Sequence, residues 1–540
     1  MLDRQPMISA LLALFGLLSL AGAATAIIAA VRARALESAQ RAYLAGSAAA
    51  LGLLLFHVST PRAVRLELLQ AGPNSDLTVT LLCVGLAWLL LGVLLLVLRV
   101  RAWTPERIVT LVSFVLLALL YLNVLRERSE FGDLNDYVRA ADEIAHGLPL
   151  HYRYVYPPLL ATLLSPFVPL GARAVFVAAL LANYLSLGLL FFLLRSVLVR
   201  YGFARITATL VTWVALAVNV AVLRTLFYGQ INLHVTNLIL LSLLAYPTHA
   251  VPSALALAIA VHLKSSPIVL ALPFLLRRDT KWLGAFAAGL VGIVALTSSL
   301  NGFERYFEYL HNVQDIYRAN GINYRDNSVD SLVRATLQLA GQDLAHAFWP
   351  VQIARAAILA LSLSLCVRAV RGRTFLAVGS PSAQTVYNAY PVLLLLLLIF
   401  SPLVWEHHPV FIVLTMCLLA SRIDGPGDGV IFLVAWFLCF VTPTFDFYPL
   451  SYRILVAVAL AYWLAFRVTG RPPVPGRWFD ALDRGLAHLP VLFAPGARAA
   501  LEVALREANA APEPPAPQES AGATPSDGQT AARALLRSPR

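Results

Sequence analysis

Residues 131–158, FGDLNDYVRAADEIAHGLPLHYRYVYPP, form a long polar interval between apolar segments. Asp133 and Asp136 stand three apart, and Tyr137, Arg139 and Asp142 continue a helix-compatible pattern. A helix there carries Asp133, Asp136 and Tyr137 along one side. After Gly147 the pattern gives way to a tyrosine-rich segment and to Pro157 and Pro158, where the next apolar run begins. The fold depends on which side of a membrane this interval faces, and on what else faces it.

The 540 residues are 59% hydrophobic and only 13% charged, with a mean hydropathy of +0.74. A soluble chain of this length needs far more charge to cover its surface. Apolar runs instead recur at lengths that cross, or half cross, a hydrocarbon layer roughly 30 Å thick. The 32 prolines and 30 glycines follow no collagen-like period and suit bent or broken membrane helices. A formal charge of +12 would suggest nucleic acid in a soluble protein. Here Lys and Arg cluster beside apolar runs, so positive-inside topology explains the excess and no nucleic-acid partner is expected. Cys83, Cys366, Cys417 and Cys439 all lie within apolar runs, as small buried hydrophobes rather than disulfide or metal partners.

The run from Met7 to Val31 reads as an uncleaved spanning helix; Arg4 and AGAATA also suit a cleaved signal peptide, for which the run is long. Residues 32–75 leave several readings open. Leu77–Leu98 and Ile108–Val124 are spans around a turn bearing Arg99, Arg101 and Arg107, which the positive-inside rule makes cytoplasmic, with Trp103 as an interfacial anchor. The Asp133 interval then emerges on the opposite face. Pro158–Leu170 is too short to span and reads as a re-entrant or surface piece. Ala174–Leu194 returns to Arg195, Arg200 and Arg205, Ile206–Leu226 goes out to YGQIN at 228–232, and Leu233–Tyr246 comes back.

Val251–His262 and Ser266–Leu276 are half-length runs around LKSSP, a broken pair that starts and ends inside beside Arg277, Arg278 and Lys281. Trp282–Leu300 exits to a second polar loop, 301–344, with DNSVDSLVRATLQL helical at its end. Leu344–Cys366 returns to Arg368, Arg371 and Arg373, and Tyr390–Phe400 exits to SPLVWEHH at 401–408. Pro409–Ala420 returns to Arg422, Val430–Val441 exits to TPTFDFYP, and Tyr452–Phe466 returns to Arg467 and Arg471. One topology satisfies nearly every basic turn. It also gathers the polar stretches 125–157, 228–232, 301–344, 401–408 and 442–449 on one outer face, which points to a site.

The expected fold class is therefore an all-α polytopic membrane protein of about 12–14 transmembrane or half-membrane helices. Residues 1–104 read as an N-terminal membrane extension with a short outer segment, 105–470 as the membrane domain, and 471–540 as a cytoplasmic, largely disordered tail. That tail includes the low-complexity REANAAPEPPAPQESAGATPSDGQTAARALLRSP.

Candidate chemistry lies on the outer face. Asp133, a few residues from the membrane exit, is placed to take a proton from a sugar hydroxyl while an activated sugar hangs from a lipid phosphate. Inverting glycosyl transfer needs one such base and a stabilised phosphate leaving group, not the two carboxylates of hydrolysis. Asp136 serves equally as a helix cap or solubilising charge. Glu406, His407 and His408 are metal-ligand types, but WEHH lacks the HExxH spacing. Holding a phosphate or acceptor, or interfacial packing around Trp405, are the other readings.

Lys264, between two short runs, either snorkels to headgroups or aims its ammonium at a lipid-linked phosphate. Arg153 and Arg224 have the same two readings. Gln230 suits sugar hydroxyls or an interhelical hydrogen bond, and Asn232 shares its motif. Tyr152, Tyr154 and Tyr156 suit sugar stacking or the aromatic belt.

DLNDYVRAADEIAHGLPLHYRYVYPP, YGQIN, HLKSSP and SPLVWEHHPVFIVL, in that order, resemble the GT-C superfamily and, more narrowly, glycosyltransferase family 87, over roughly residues 105–470. The resemblance implies a GT-C fold in the bacterial cytoplasmic membrane with an extracytoplasmic active site. It also implies a polyprenyl-phosphate sugar donor, usually mannose, and an envelope glycolipid or glycan acceptor. The family's D-x-x-x-Y pattern falls on Asp133 and Tyr137, which makes Asp133 the expected general base. Its basic residue before a proline falls on Lys264, and its W-[DE]-H-H/Y group on Trp405, Glu406, His407 and His408.

Asp136, Tyr137, Arg153, Tyr156, Gln230, Asn232, Lys264 and the WEHH residues are the expected donor- and substrate-binding set. No metal or other cofactor is expected. Acceptor recognition is assigned to 301–344, and the N-terminal spans depart from the family pattern. The rival class is a lipid or solute transporter, which the broken helix at 251–276 would suit, though no inverted repeat is seen.

Overall fold

The computed structural model describes residues 132–319, 326–343, 347–377, 379–401, 403–442 and 448–469, with isolated helical positions between Thr110 and Tyr121. The expected spans Met7–Val31 and Leu77–Leu98, Trp103, Cys83 and the tail lie outside the described residues. Every regular element among the described residues is a helix. Five are long and apolar enough to cross a membrane: Ala172–Arg200, Thr280–Asn301, Phe348–Arg371, Pro381–Ile399 and Leu450–Val468. Counting one bent pair as a span makes six, and shorter apolar helices stand between them. The chain is a multi-pass helical membrane protein.

The helices divide by what they face. Pro381–Ile399 is buried along nearly its whole length and forms the middle of the bundle. Thr280–Asn301 leaves Val291, Leu296 and Leu300 exposed, a side that suits lipid rather than protein. Lipid gives apolar helices no reason to prefer one another, so packing and interhelical hydrogen bonds hold the bundle. Asn237 donates to Ser186 O (2.7 Å) and Oγ (2.8 Å), Trp282 Nε1 to Ser253 Oγ (2.9 Å), Tyr201 to Tyr387 O (2.7 Å), and Tyr387 to Leu243 O (2.9 Å).

The Asp133 interval is helical as expected, over Gly132–Ala145. The half-length pair is also as read: Ala250–Leu263 stops at Lys264, and a short turn leads into Leu272–Arg277. Three expectations need correction. Ile206–Leu226 is not one straight span but two helices, Arg205–Ala217 and Val220–Tyr228, meeting at 58°. Asn219 makes the break: its side chain accepts from Val222 N (3.0 Å) and donates to Ala215 O (2.9 Å), serving an open end of each helix.

The span expected at Tyr390 begins nine residues earlier, at Pro381, because Ser380 caps it and Pro381 takes the first helical position. Finally, the outer loop 301–344 carries a helix at Glu304–Ala319 besides the expected one, seen at Val329–Leu339.

Candidate active site

The Gly132–Ala145 helix buries Leu134, Tyr137, Ala140, Ala141 and Ile144, which leaves Asp133 and Asp136 half-buried on an adjoining face. The YGQIN segment meets it there. Val220–Tyr228 ends with Gly229 in the left-handed region (φ 69°), Gly229 N donating to Leu226 O and Gln230 N to Thr225 O (2.7 Å). This glycine-dependent ending is a Schellman motif. A Cβ on Gly229 would stand 2.5 Å from Leu134 Cβ, so only glycine lets the two elements come this close.

The close approach delivers Gln230 to Asp133. Gln230 is buried, and its Oε1 accepts from Tyr137 (3.0 Å) and Tyr156 (3.1 Å). With the oxygen engaged twice, the amide NH2 is left to donate to Asp133. Tyr137, Tyr154 and Tyr156 pack edge to face behind it, with centroids 5.1–6.4 Å apart. Burial pushes the Asp133 carboxyl up to about 6 and the Asp136 charge adds to this, against the Gln230 amide, Lys264 and Arg153. A carboxyl so tuned suits proton abstraction near neutral pH.

Asp136 belongs to a second group. His151 Nε2 lies 3.7 Å from one of its oxygens and Arg153 3.6 Å from the other. His151 is buried, and its Nδ1 stands 2.7 Å from Glu143 Oε2, which also accepts from His151 N (2.9 Å). Burial opposes charge on this imidazole, but the Asp136 and Glu143 carboxylates outweigh it and raise its pKa. His151 and Glu143 were not singled out from the sequence; the only signal was a histidine following an acidic helix after a Gly-Leu-Pro turn. The polar helix Glu304–Ala319 covers this turn, with Glu308 accepting from Leu150 N (2.9 Å) and Asn312 donating to His151 O (2.9 Å).

The break at Lys264 supplies the opposite wall. Lys264 Nζ donates to Asn232 Oδ1 (3.0 Å), lies 2.5 Å from His408 Nε2 and sits 5.5 Å from the centre of the Phe411 ring. His408 Nδ1 accepts from Trp405 N (2.7 Å), so a neutral ring carries its proton on Nε2, facing the amine. At 2.5 Å one of the two nitrogens accepts from the other, so an anion oxygen is met by both only after they part. The His407 ring lies tilted beside that of His408 (centroids 4.6 Å apart), and its carbonyl is approached by Asn232 Nδ2 and Thr225 Oγ1.

The expected site residues thus divide. Asp133, Tyr137, Tyr156, Gln230, Asn232, Lys264, His407 and His408 converge. Asp136 faces His151 and Arg153, whose guanidinium is largely exposed. Trp405 contributes its backbone N–H. Glu406 is taken up by Arg224 Nε (3.1 Å) and the Tyr228 hydroxyl (2.9 Å), a buried brace between the YGQIN helix and the WEHH turn. Tyr152 is exposed, whereas Tyr154 is fully buried. Among the described residues no group of three His, Cys, Asp or Glu side chains is placed to hold a metal.

A half-buried carboxyl near a lysine–histidine pair in a helical membrane bundle narrows the comparison. The sequence pattern that defines glycosyltransferase family 87 matches residues 154–396. Over those residues the chain is similar to glycosyltransferase family 87. The family 87 match takes in Tyr156, Gln230, Asn232 and Lys264, and its ends leave Asp133 and the WEHH group just outside.

Longer similarities reach beyond it. The polyprenol-phosphate-mannose-dependent alpha-(1-2)-phosphatidylinositol mannoside mannosyltransferase of Mycobacterium tuberculosis is 29% identical over 376 residues, covering 63% of this chain and 82% of that protein. The polyprenol-phosphate-mannose-dependent alpha-(1-2)-phosphatidylinositol pentamannoside mannosyltransferase of Mycolicibacterium smegmatis is 27% identical over 361 residues, 62% of this chain and 83% of that protein. The chain is a membrane-embedded relative of these glycosyltransferases.

Proposed function

We propose that this protein acts as a family 87 glycosyltransferase and transfers a hexose, mannose by analogy with its relatives, from a polyprenyl-phosphate donor to a hydroxyl of an envelope glycolipid or glycan. The active site faces the extracytoplasmic side of a bacterial cytoplasmic membrane. The observation that carries this reading is the pairing of one half-buried carboxyl, Asp133, with a cationic break, Lys264 and His408, across Gln230 and Asn232.

Asp133 takes the proton of the acceptor hydroxyl as its oxygen attacks the anomeric carbon. The bond from that carbon to the phosphate oxygen breaks, and its electron pair leaves with polyprenyl phosphate. The leaving group gains a negative charge, which Lys264 Nζ and the His408 Nε2–H stabilise once they part from each other to receive it. Attack opposite the departing phosphate inverts the anomeric centre. Tyr137 and Tyr156 hold the Gln230 amide that orients Asp133.

The test is transfer of labelled mannose from a synthetic polyprenyl-phosphate mannose in proteoliposomes. Native protein should transfer, with kcat/KM rising with pH through about 6 as Asp133 ionises. Asp133→Asn should lose at least a hundredfold. Equal transfer by the two proteins would remove Asp133 as the base, and no transfer by folded native protein from several such lipids would remove the donor class.

A further inference from the structure

Residues 326–328, DNS, are fully buried although they belong to the long polar loop on the outer side. Asp326 Oδ1 accepts from Val404 N (2.8 Å) and Ser328 N (3.0 Å), and Oδ2 accepts from Ser328 Oγ (2.8 Å). Asn327 N donates to Val404 O (2.7 Å), so both backbone polar groups of Val404 are held by two adjacent residues. Asn327 Oδ1 accepts from Ile454 N (3.2 Å), in the first turn of the Arg453–Val468 helix. Ser328 caps Val329–Leu339 by accepting from Ser331 N (3.1 Å), and Ser331 Oγ stands 3.1 Å from the Tyr452 hydroxyl. Three short residues join the outer loop, the last described helix and the turn that carries WEHH.

The geometry points to a specific consequence: we propose that Asp326, with Asn327, is the positioning element that orients the Val404–Trp405 peptide and thereby fixes the His408 ring toward Lys264. The peptide is planar, so its carbonyl and its N–H cannot be aimed independently. Asn327 N–H holds the carbonyl, and the N–H on the other side is the one that His408 Nδ1 accepts. Asp326 secures the preceding N–H, which stops the turn from rolling. A flipped or wandering Trp405 N–H would release His408 Nδ1, and the Nε2 proton would no longer face Lys264.

The clamp needs an acceptor rather than a charge. Burial raises the Asp326 carboxyl to about 6 against its three donors, so much of the cost of charging it is not recovered locally. An asparagine keeps Oδ1 for both backbone donors and turns its NH2 to Ser328 Oγ. An alanine keeps nothing. Asp326→Asn should therefore behave almost as native, and Asp326→Ala should not.

The structural half of this inference is independent of the substrate; its catalytic half rests on the transfer reading above. The direct experiment is nitrogen-15 NMR of histidine-labelled full-length protein in nanodiscs, with the His408 signal identified by its absence in His408→Gln. Native protein and Asp326→Asn should show His408 protonated at Nε2 with an accepting Nδ1. Asp326→Ala should lose that signature, and Asp326→Ser, the milder change if the alanine variant does not fold, should show it weakened.

In the mannose-transfer assay kcat should fall about a hundredfold for Asp326→Ala and no more than a few-fold for Asp326→Asn. An unchanged His408 signature in folded Asp326→Ala, or its equal loss in Asp326→Asn, would overturn the inference. A purely structural brace would lower the melting temperature and leave the His408 signal intact. Failure of native protein to transfer sugar would count against the function alone, since the spectra still decide the clamp.

Discussion

Replacing Asp133 by Asn should make the protein inactive and, at neutral pH, more stable. The carboxyl rises from 3.8 to about 6 on folding, chiefly through burial. At about 1.4 kcal/mol per unit, that is roughly 3 kcal/mol spent in the folded state to keep the group ionised. An amide is still polar, so the gain on removing the charge is about 1–3 kcal/mol. The sign follows from proton counts. Between about 4 and 6 the folded protein binds more protons at this site than the unfolded chain, so native stability falls as pH rises through that window.

Below about pH 4 both states are protonated and the variant gains nothing; above about 6 the gain is complete. The assay is thermal unfolding of native and Asp133→Asn protein in one detergent from pH 4 to 8. The variant's advantage should grow across that range to a few °C. An Asn variant equally stable at pH 4 and less stable than native at pH 8 would refute the burial argument, and with it the tuning of the proposed base.

Other substitutions separate the parts of the site. Gly229→Ala meets both the left-handed backbone and the Leu134 Cβ, so transfer should drop at least tenfold with about 1–2 kcal/mol of strain. Leu134→Ala should not rescue it, because the overlap is with the β-carbon that alanine retains; thermal melts and transfer assays on the double variant check this. Lys264→Met should lose about 10²–10³ in kcat with an unchanged or higher melting temperature, since a long apolar chain fills the same break without an amine to desolvate. Glu406→Ala should instead cost stability, about 3 kcal/mol, because Arg224 is left buried without its carboxylate. A drop in melting temperature of several degrees, larger than for Lys264→Met, is the expected readout.

Much of this was legible in the order of residues. Asp133 and Tyr137 four apart, the broken pair around Lys264 and the basic turns each follow from helical spacing or from the cost of charge in lipid, which are local or additive rules. Ser380 followed by Pro381 was an equally local helix start, but the polar PSAQTVYN hid it because a buried membrane helix need not look apolar when its neighbours take its hydrogen bonds. The bend at Asn219 was harder to see. One asparagine serving two helix ends has no periodicity to betray it.

The contacts of His151 with Glu143 and of Asp326 with Val404 were out of reach for a different reason. They join polar groups whose pairing depends on where a turn or a distant loop finally lands, and spacing along the chain carries no record of that. The role of Glu406 changed for the same cause, since Arg224 claims it from another helix.

The most direct test is a structure of the protein in nanodiscs with a non-transferable polyprenyl-phosphate fluoromannose. The phosphate should lie within hydrogen-bond distance of Lys264 Nζ and His408 Nε2, with the anomeric carbon turned toward Asp133. A lipid phosphate seated at the arginine-rich ends of the helices, with the Asp133–Lys264 cleft left to water, would contradict the proposed chemistry.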